Sequence, residues 1–134
     1  MSGEQGLAMK ILVAEDSAAD RLILKTMLSR AGYDVVMAED GQMAIEAFKE
    51  HKPDLVFMDV IMPNVGGIEA TREIKRLSEE HLIPVIFLTS LADAESLATC
   101  LDAGGDDFLS KPYNQTVLES KIKSFARMSH MHKT

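Results

Sequence analysis

Short apolar runs of strand length recur along this chain at near-regular intervals, with helix-period segments between them. The candidate strands are Lys10 to Ala14 (KILVA), Asp34 to Ala38 (DVVMA), Leu55 to Met58 (LVFM), Pro84 to Leu88 (PVIFL) and Asp107 to Ser110 (DFLS). Most are apolar at successive positions rather than at every second one, as expected for strands covered on both faces. Ala18 to Arg30 carries Leu22, Ile23, Met27 and Leu28, and Gly32 follows it as a helix stop. Gln42 to Glu50, with Ala44, Ile45, Ala47 and Phe48, predicts a second helix, closed by Pro53. Ile68 to Ser78 predicts a third. Asp93 is placed to cap a fourth through Leu97, Cys100 and Leu101, ended by Gly104 and Gly105, and Asn114 is placed to cap a fifth. Strands alternating with helices argue for an α/β protein whose parallel strands are joined by helical crossovers.

In such a sheet the C-terminal ends of all strands lie along one edge, where ligands bind. The residues at those ends are Glu15 and Asp16, then Asp59, Thr89 and Lys111. Three carboxylates converging there would repel one another and be driven towards protonation unless a cation joined them. All-oxygen donors without His or Cys select a hard ion, and so few carboxylates leave room for water and phosphate, which suits Mg²⁺ better than Ca²⁺. The Lys111 ammonium can meet a carboxylate or a phosphate oxygen, and the Thr89 hydroxyl can donate to an anion. Each alone is an ordinary surface or strand-end residue. Together they describe a phosphoryl pocket.

Composition narrows the setting. At 134 residues the chain suits one compact domain, and a net charge of −7 disfavours nucleic acid as a direct partner. A single cysteine, Cys100, precludes an internal disulfide and fits a reducing, cytoplasmic setting. No basic, apolar leader and no membrane-length apolar run is present, so no membrane association is expected. Cys100 reads as a packed thiol, Met27, Met37, Met43 and Met58 as core fillers, and His130 and His132 as residues of an exposed tail.

From about Met9 to Arg127 the residues resemble the receiver domain of bacterial two-component response regulators. The motifs are Glu15-Asp16, Asp59 followed by Met62-Pro63 and Gly67, Thr89, and the run AGGDDFLSKP from Ala103 to Pro112. The resemblance implies a flavodoxin-like three-layer sandwich with strand order 2-1-3-4-5 and five helices. It implies a tail over 1–8, a receiver domain over 9–127 and a C-terminal helix extension or tail over 128–134. Asp59 would be phosphorylated by a sensor histidine kinase or histidine phosphotransfer protein, with Thr89 and Lys111 contacting the phosphate. Mg²⁺ would be bound by Asp16, Asp59 and the Ile61 carbonyl, with Glu15 acting through water. Pro112 takes the position of the family's cis-proline, which would direct Lys111. Thr89 and Phe108 take its switch positions, coupled to a face made by helix four, strand five and helix five. That face would serve a homodimer or a fused output domain.

Two departures stand out. Gly66 replaces the usual Asp before Gly67, which loosens the loop after Asp59 and removes an N-cap from helix three. Ser90 stands where a smaller alanine is common. A nucleotide- or flavin-binding protein of the same architecture would need a Gly-, Ser- or Thr-rich anion loop where this chain has EDSAAD. An aspartyl-phosphate phosphatase would want a second Asp where Ile61 stands. A degenerate receiver used only for binding is disfavoured by the intact acid, acceptor, hydroxyl and lysine set. The fifth helix, free of Gly and Pro from Gln115 onward, carries Val117, Leu118, Ile122, Phe125, Met128 and Met131 at helical spacing and reads as the start of a connector.

Overall fold

The computed structural model describes residues 9–78, 83–90 and 94–133, with backbone alone for 94–96 and 128–133. Among the described residues the strands are β1 (Lys10–Ala14), β2 (Asp34–Ala38), β3 (Leu55–Asp59), β4 (Val85–Thr89) and β5 (Asp107–Ser110). The helices are α1 (Ala18–Arg30), α2 (Gly41–His51), α3 (Gly67–Leu77), α4 (Ala94–Asp102) and α5 (Gln115–Lys133). The strands form one parallel sheet in the order β2-β1-β3-β4-β5, the flavodoxin-like arrangement. The expected cap Asp93 lies outside the described residues.

Strand residues alternate between two apolar layers. Ile11, Val13, Leu55, Phe57, Ile86, Leu88 and Leu109 pack with Leu24 and Leu28 of α1 and Leu118 and Ile122 of α5. Leu12, Ala14, Val56, Met58, Val85 and Phe87 pack with Ala44, Ile45 and Phe48 of α2, Ala70 and Ile74 of α3, and Cys100 of α4. Burial on both faces explains why central β3 and β4 are apolar at successive positions and fully buried, while edge strands β2 and β5 are not.

The structure corrects several sequence expectations. In α1 the core stripe is Leu24 and Leu28, whereas Leu22 is 65% and Ile23 47% exposed. Met43 and Leu101 are likewise exposed, so Met43 is not a core filler and Leu101 does not share the burial of Cys100. An apolar run longer than the buried stripe leaves its rotation to packing. β3 and β4 each reach one residue further than expected, because the ladder continues through Asp59↔Leu88 and Thr89↔Ser110. On α5, Leu118 and Ile122 are buried and Phe125 packs beside them.

Helix ends follow local chemistry. Ser17 caps α1 by accepting from Asp20 N, Asp40 caps α2 by accepting from Met43 N at 2.8 Å, and Asn114 caps α5 by accepting from Val117 N at 3.0 Å. Gly32 follows α1 at φ +94°. Gly66 caps α3 with no side-chain bond, as its lack of one dictates.

Candidate functional site: an acidic pocket at the strand ends

β1 delivers Glu15 and Asp16 to the C-terminal edge of the sheet, and β3 delivers Asp59. One carboxylate oxygen from each lies within 4.8 Å of the others. Glu15 is buried, Asp16 exposed and Asp59 only 7% exposed. Glu15 is held from several sides. Its Oε2 accepts from Ser17 N at 3.0 Å, its Oε1 accepts from the Tyr113 hydroxyl at 3.4 Å, and its carbonyl accepts from Arg21 Nη1 at 2.8 Å.

Lys111, just past β5, faces this cluster. Its Nζ lies 3.4 Å from Glu15, 3.6 Å from Asp59 and 3.5 Å from Asp20. The Lys111 N–H donates to the Thr89 carbonyl at 3.1 Å, and the Lys111-Pro112 peptide is cis. Asp59, Val60, Ile61, Thr89, Ser90 and Lys111 line an open cavity of about 220 Å³. Phe108, on the edge strand beside Thr89's neighbours, is half-buried and stacks on Phe87 with ring centroids 6.3 Å apart.

Electrostatics follow from this packing. Burial first, then the hydrogen bond and charge of Glu15 and the charge of Asp16, push the Asp59 carboxyl up to about 7, with Lys111 opposing. Burial works against the Lys111 ammonium, yet Asp59, Glu15 and Asp20 hold its pKa above the usual value. Tyr113 is raised by burial and then by Glu15, Asp20 and Asp59. The clustered carboxylates of Glu15, Asp16 and Asp59, all offering oxygen, with the Lys111 ammonium beside Glu15 and Asp59, fit a hard divalent cation.

The loop from Val60 to Gly66 is anchored at both ends. Gly67 N donates to the Val60 carbonyl at 3.0 Å, and a Cβ on Gly67 would stand 1.8 Å from the Asp59 carbonyl oxygen. Gly41 N donates to the Val65 carbonyl at 3.0 Å, and Asn64 Nδ2 donates to Asp40 Oδ2 at 2.9 Å. The looseness expected from Gly66 is thus offset by two bonds to the start of α2. Sequence reasoning missed these anchors, together with Asp20 and Tyr113. Asp20 sits inside the EDSAAD segment, where an acid in the first helical turn reads as an ordinary helix-dipole partner.

The profile of the response regulator receiver domain matches residues 11–123. The chain belongs to the response regulator receiver domain family. Its relatives include a probable transcriptional regulator ycf27 of Porphyridium aerugineum, 42% identical over 118 residues, covering 88% of this chain and 48% of the relative. The chain therefore spans about half the length of the curated relatives it matches. Among solved structures, a CheY-like receiver domain protein from Methanospirillum hungatei aligns with TM-score 0.87 at 25% identity, covering 93% of this chain and 98% of that one. The receiver domain of sensor histidine kinase PA1611 from Pseudomonas aeruginosa, 30% identical, aligns with TM-score 0.82 over 88% of this chain and 97% of its own, and carries a magnesium ion in its active-site cleft. This receiver domain is a signalling module of two-component systems. No helix among its described residues is long and apolar enough to cross a membrane.

Proposed function

We propose that this receiver is a working phosphoacceptor, in which an Asp59 oxygen attacks the phosphorus of a phosphohistidine on a sensor histidine kinase or phosphotransfer protein. The new O–P bond forms as the N–P bond breaks, and the imidazole leaves and takes up a proton. The observation that carries this reading is the Asp59 carboxylate opening on a cavity shared with Thr89 and Lys111, beside two further acids. The incoming group spreads negative charge over its oxygens, so catalysis is positioning and neutralisation. Lys111 neutralises one oxygen, the Thr89 hydroxyl donates to another, and Phe108 follows Thr89 as a switch.

Mg²⁺ fits the donor set. Asp16, Asp59 and the Ile61 carbonyl would hold it, with Glu15 acting through water, and it would supply charge neutralisation for the phosphoryl oxygens. Gly67 keeps the loop after Asp59 close to the strand end, where a Cβ would meet the Asp59 carbonyl oxygen, and Pro112 follows Lys111 as the second conformational residue. The module takes part in its own phosphorylation but turns over no substrate, and its setting is cytoplasmic. We assign the receiver to 9–127 with 128–134 as extension. The face made by α4, β5 and α5 would meet a second receiver or an output domain, and Leu101 on α4 and Val117 on α5 are 53% and 44% exposed.

Acetyl phosphate labelling tests the reading. Wild type is expected to label with Mg²⁺ and to lose labelling in excess chelator, and Asp59→Asn to remain unlabelled. Equal labelling of the variant would remove Asp59 as acceptor, and an unlabelled wild type would leave a binding module only.

A further inference from the structure

Lys111 is shared by three carboxylates, and the third plays no part in the reading above. Asp20 Oδ2 lies 3.5 Å from Nζ, as close as Glu15 and Asp59. Asp20 occupies the first turn of α1, whose end is already capped by the Ser17 hydroxyl, so its carboxylate is free of that duty. A first-turn acid can satisfy the helix dipole while pointing into water. This one instead turns onto the ammonium, and its side chain is only 29% exposed.

The ammonium is a compact charge with three donors on a flexible stem. In the structure Nζ lies at nearly equal range from Glu15, Asp20 and Asp59, so its charge is shared among the three. A phosphoryl group on Asp59 brings new oxygens that must draw Nζ further into the pocket. Asp20 pulls the other way, towards α1.

We infer that Asp20 is a positioning residue that restrains Lys111 and thereby sets how readily the phosphoryl group is gained and held. The inference rests on the proposed contact between Lys111 and phosphate. Removing the Asp20 charge frees the ammonium for the pocket and also lowers the negative field there. Only the first effect runs through Lys111, so a double-mutant cycle separates them.

The experiment compares acetyl phosphate labelling rates in Mg²⁺ for the whole chain as wild type, Asp20→Asn, Lys111→Met and the double variant, with beryllofluoride affinity as an equilibrium readout. Asp20→Asn is expected to raise both rate and affinity about two- to fivefold, the range set by a partly exposed ion pair. The gain should vanish in the Lys111→Met background, and Asp20→Glu, which keeps the charge, should behave as wild type. A merely structural lesion would lower beryllofluoride affinity. Asp20→Asn at or below the wild-type rate, while Lys111→Met is impaired, would overturn the Asp20 inference and leave the role of Lys111 standing. The same gain in both backgrounds would overturn it in favour of a general field effect. A Lys111→Met variant that labels and binds like wild type would overturn the phosphate contact and this inference together.

Discussion

Asn64, at φ 66°, donates through Nδ2 to Asp40 Oδ2 across 2.9 Å, and this bond joins the loop after Asp59 to the N-terminus of α2. The same carboxylate caps the helix through its other oxygen, so one aspartate serves both elements. That shared use, with the protonated form disfavoured first by the Met43 bond and then by Asn64, holds the Asp40 carboxyl below its usual pKa.

Gly41 is required by the same junction. A Cβ there would stand 2.1 Å from the Val65 carbonyl oxygen, a contact that only movement of the loop relieves. Gly41→Ala is expected to cost about 2–4 kcal/mol in urea unfolding and to weaken Mg²⁺ binding through the displaced loop. Asn64→Gly, which loses the bond but tolerates the left-handed backbone, should cost about 1 kcal/mol. A Gly41→Ala protein as stable as wild type would show that the loop has room to shift.

The raised Asp59 carboxyl makes the metal-free protein pH-sensitive. Between its unfolded value of 3.8 and about 7 the folded state keeps a proton that the unfolded chain releases. The stability this lends is full at low pH and lost as pH rises through about 7. Asp59→Asn should flatten that fall and raise metal-free stability at pH 8, by at most about 4 kcal/mol. Mg²⁺ should narrow the gap between the two proteins. Urea midpoints at pH 5 and 8 measure this, and an equal fall in both proteins would assign the sensitivity elsewhere.

Gly66→Asp restores a side-chain cap to α3. The backbone there, at φ −73°, accepts any residue, and the nearest atom to an added Cβ is the Val60 carbonyl oxygen at 3.8 Å. A gain of about 0.5–1.5 kcal/mol is expected, from the cap and from lower unfolded-state entropy. Thermal unfolding checks it, and a loss of stability would mean that the nearby acids repel the new carboxylate.

Signal lifetime is expected to be long. Ile61 lines the pocket, and its aliphatic side chain has no hydrogen-bonding group that could orient an attacking water. Leu91, two residues after Thr89 in the sequence, is the second apolar residue of the expectation and lies outside the described residues. Phosphate loss from Ile61→Asn combined with Leu91→Glu should be faster than from wild type. An unchanged rate would place control of lifetime with other residues.

The alternation of strand and helix, the parallel sheet and the residues at each strand end are all legible in the order of residues along the chain. Those features are local: apolar runs specify buried strands, and right-handed crossovers place every strand end on one edge. Glu15, Asp16, Asp59, Thr89 and Lys111 were legible for that reason. Tertiary structure alone decided which side of α1 is buried, because Leu22, Ile23, Leu24, Met27 and Leu28 leave two rotations open until the helix meets the sheet. It alone decided that Asp20 reaches Lys111 and that Asp40 reaches Asn64, bonds between residues far apart in sequence. Such pairs carry no periodic signal. They arise when packing of the two apolar layers fixes the distances between crossovers, and short polar side chains at the junctions meet across them.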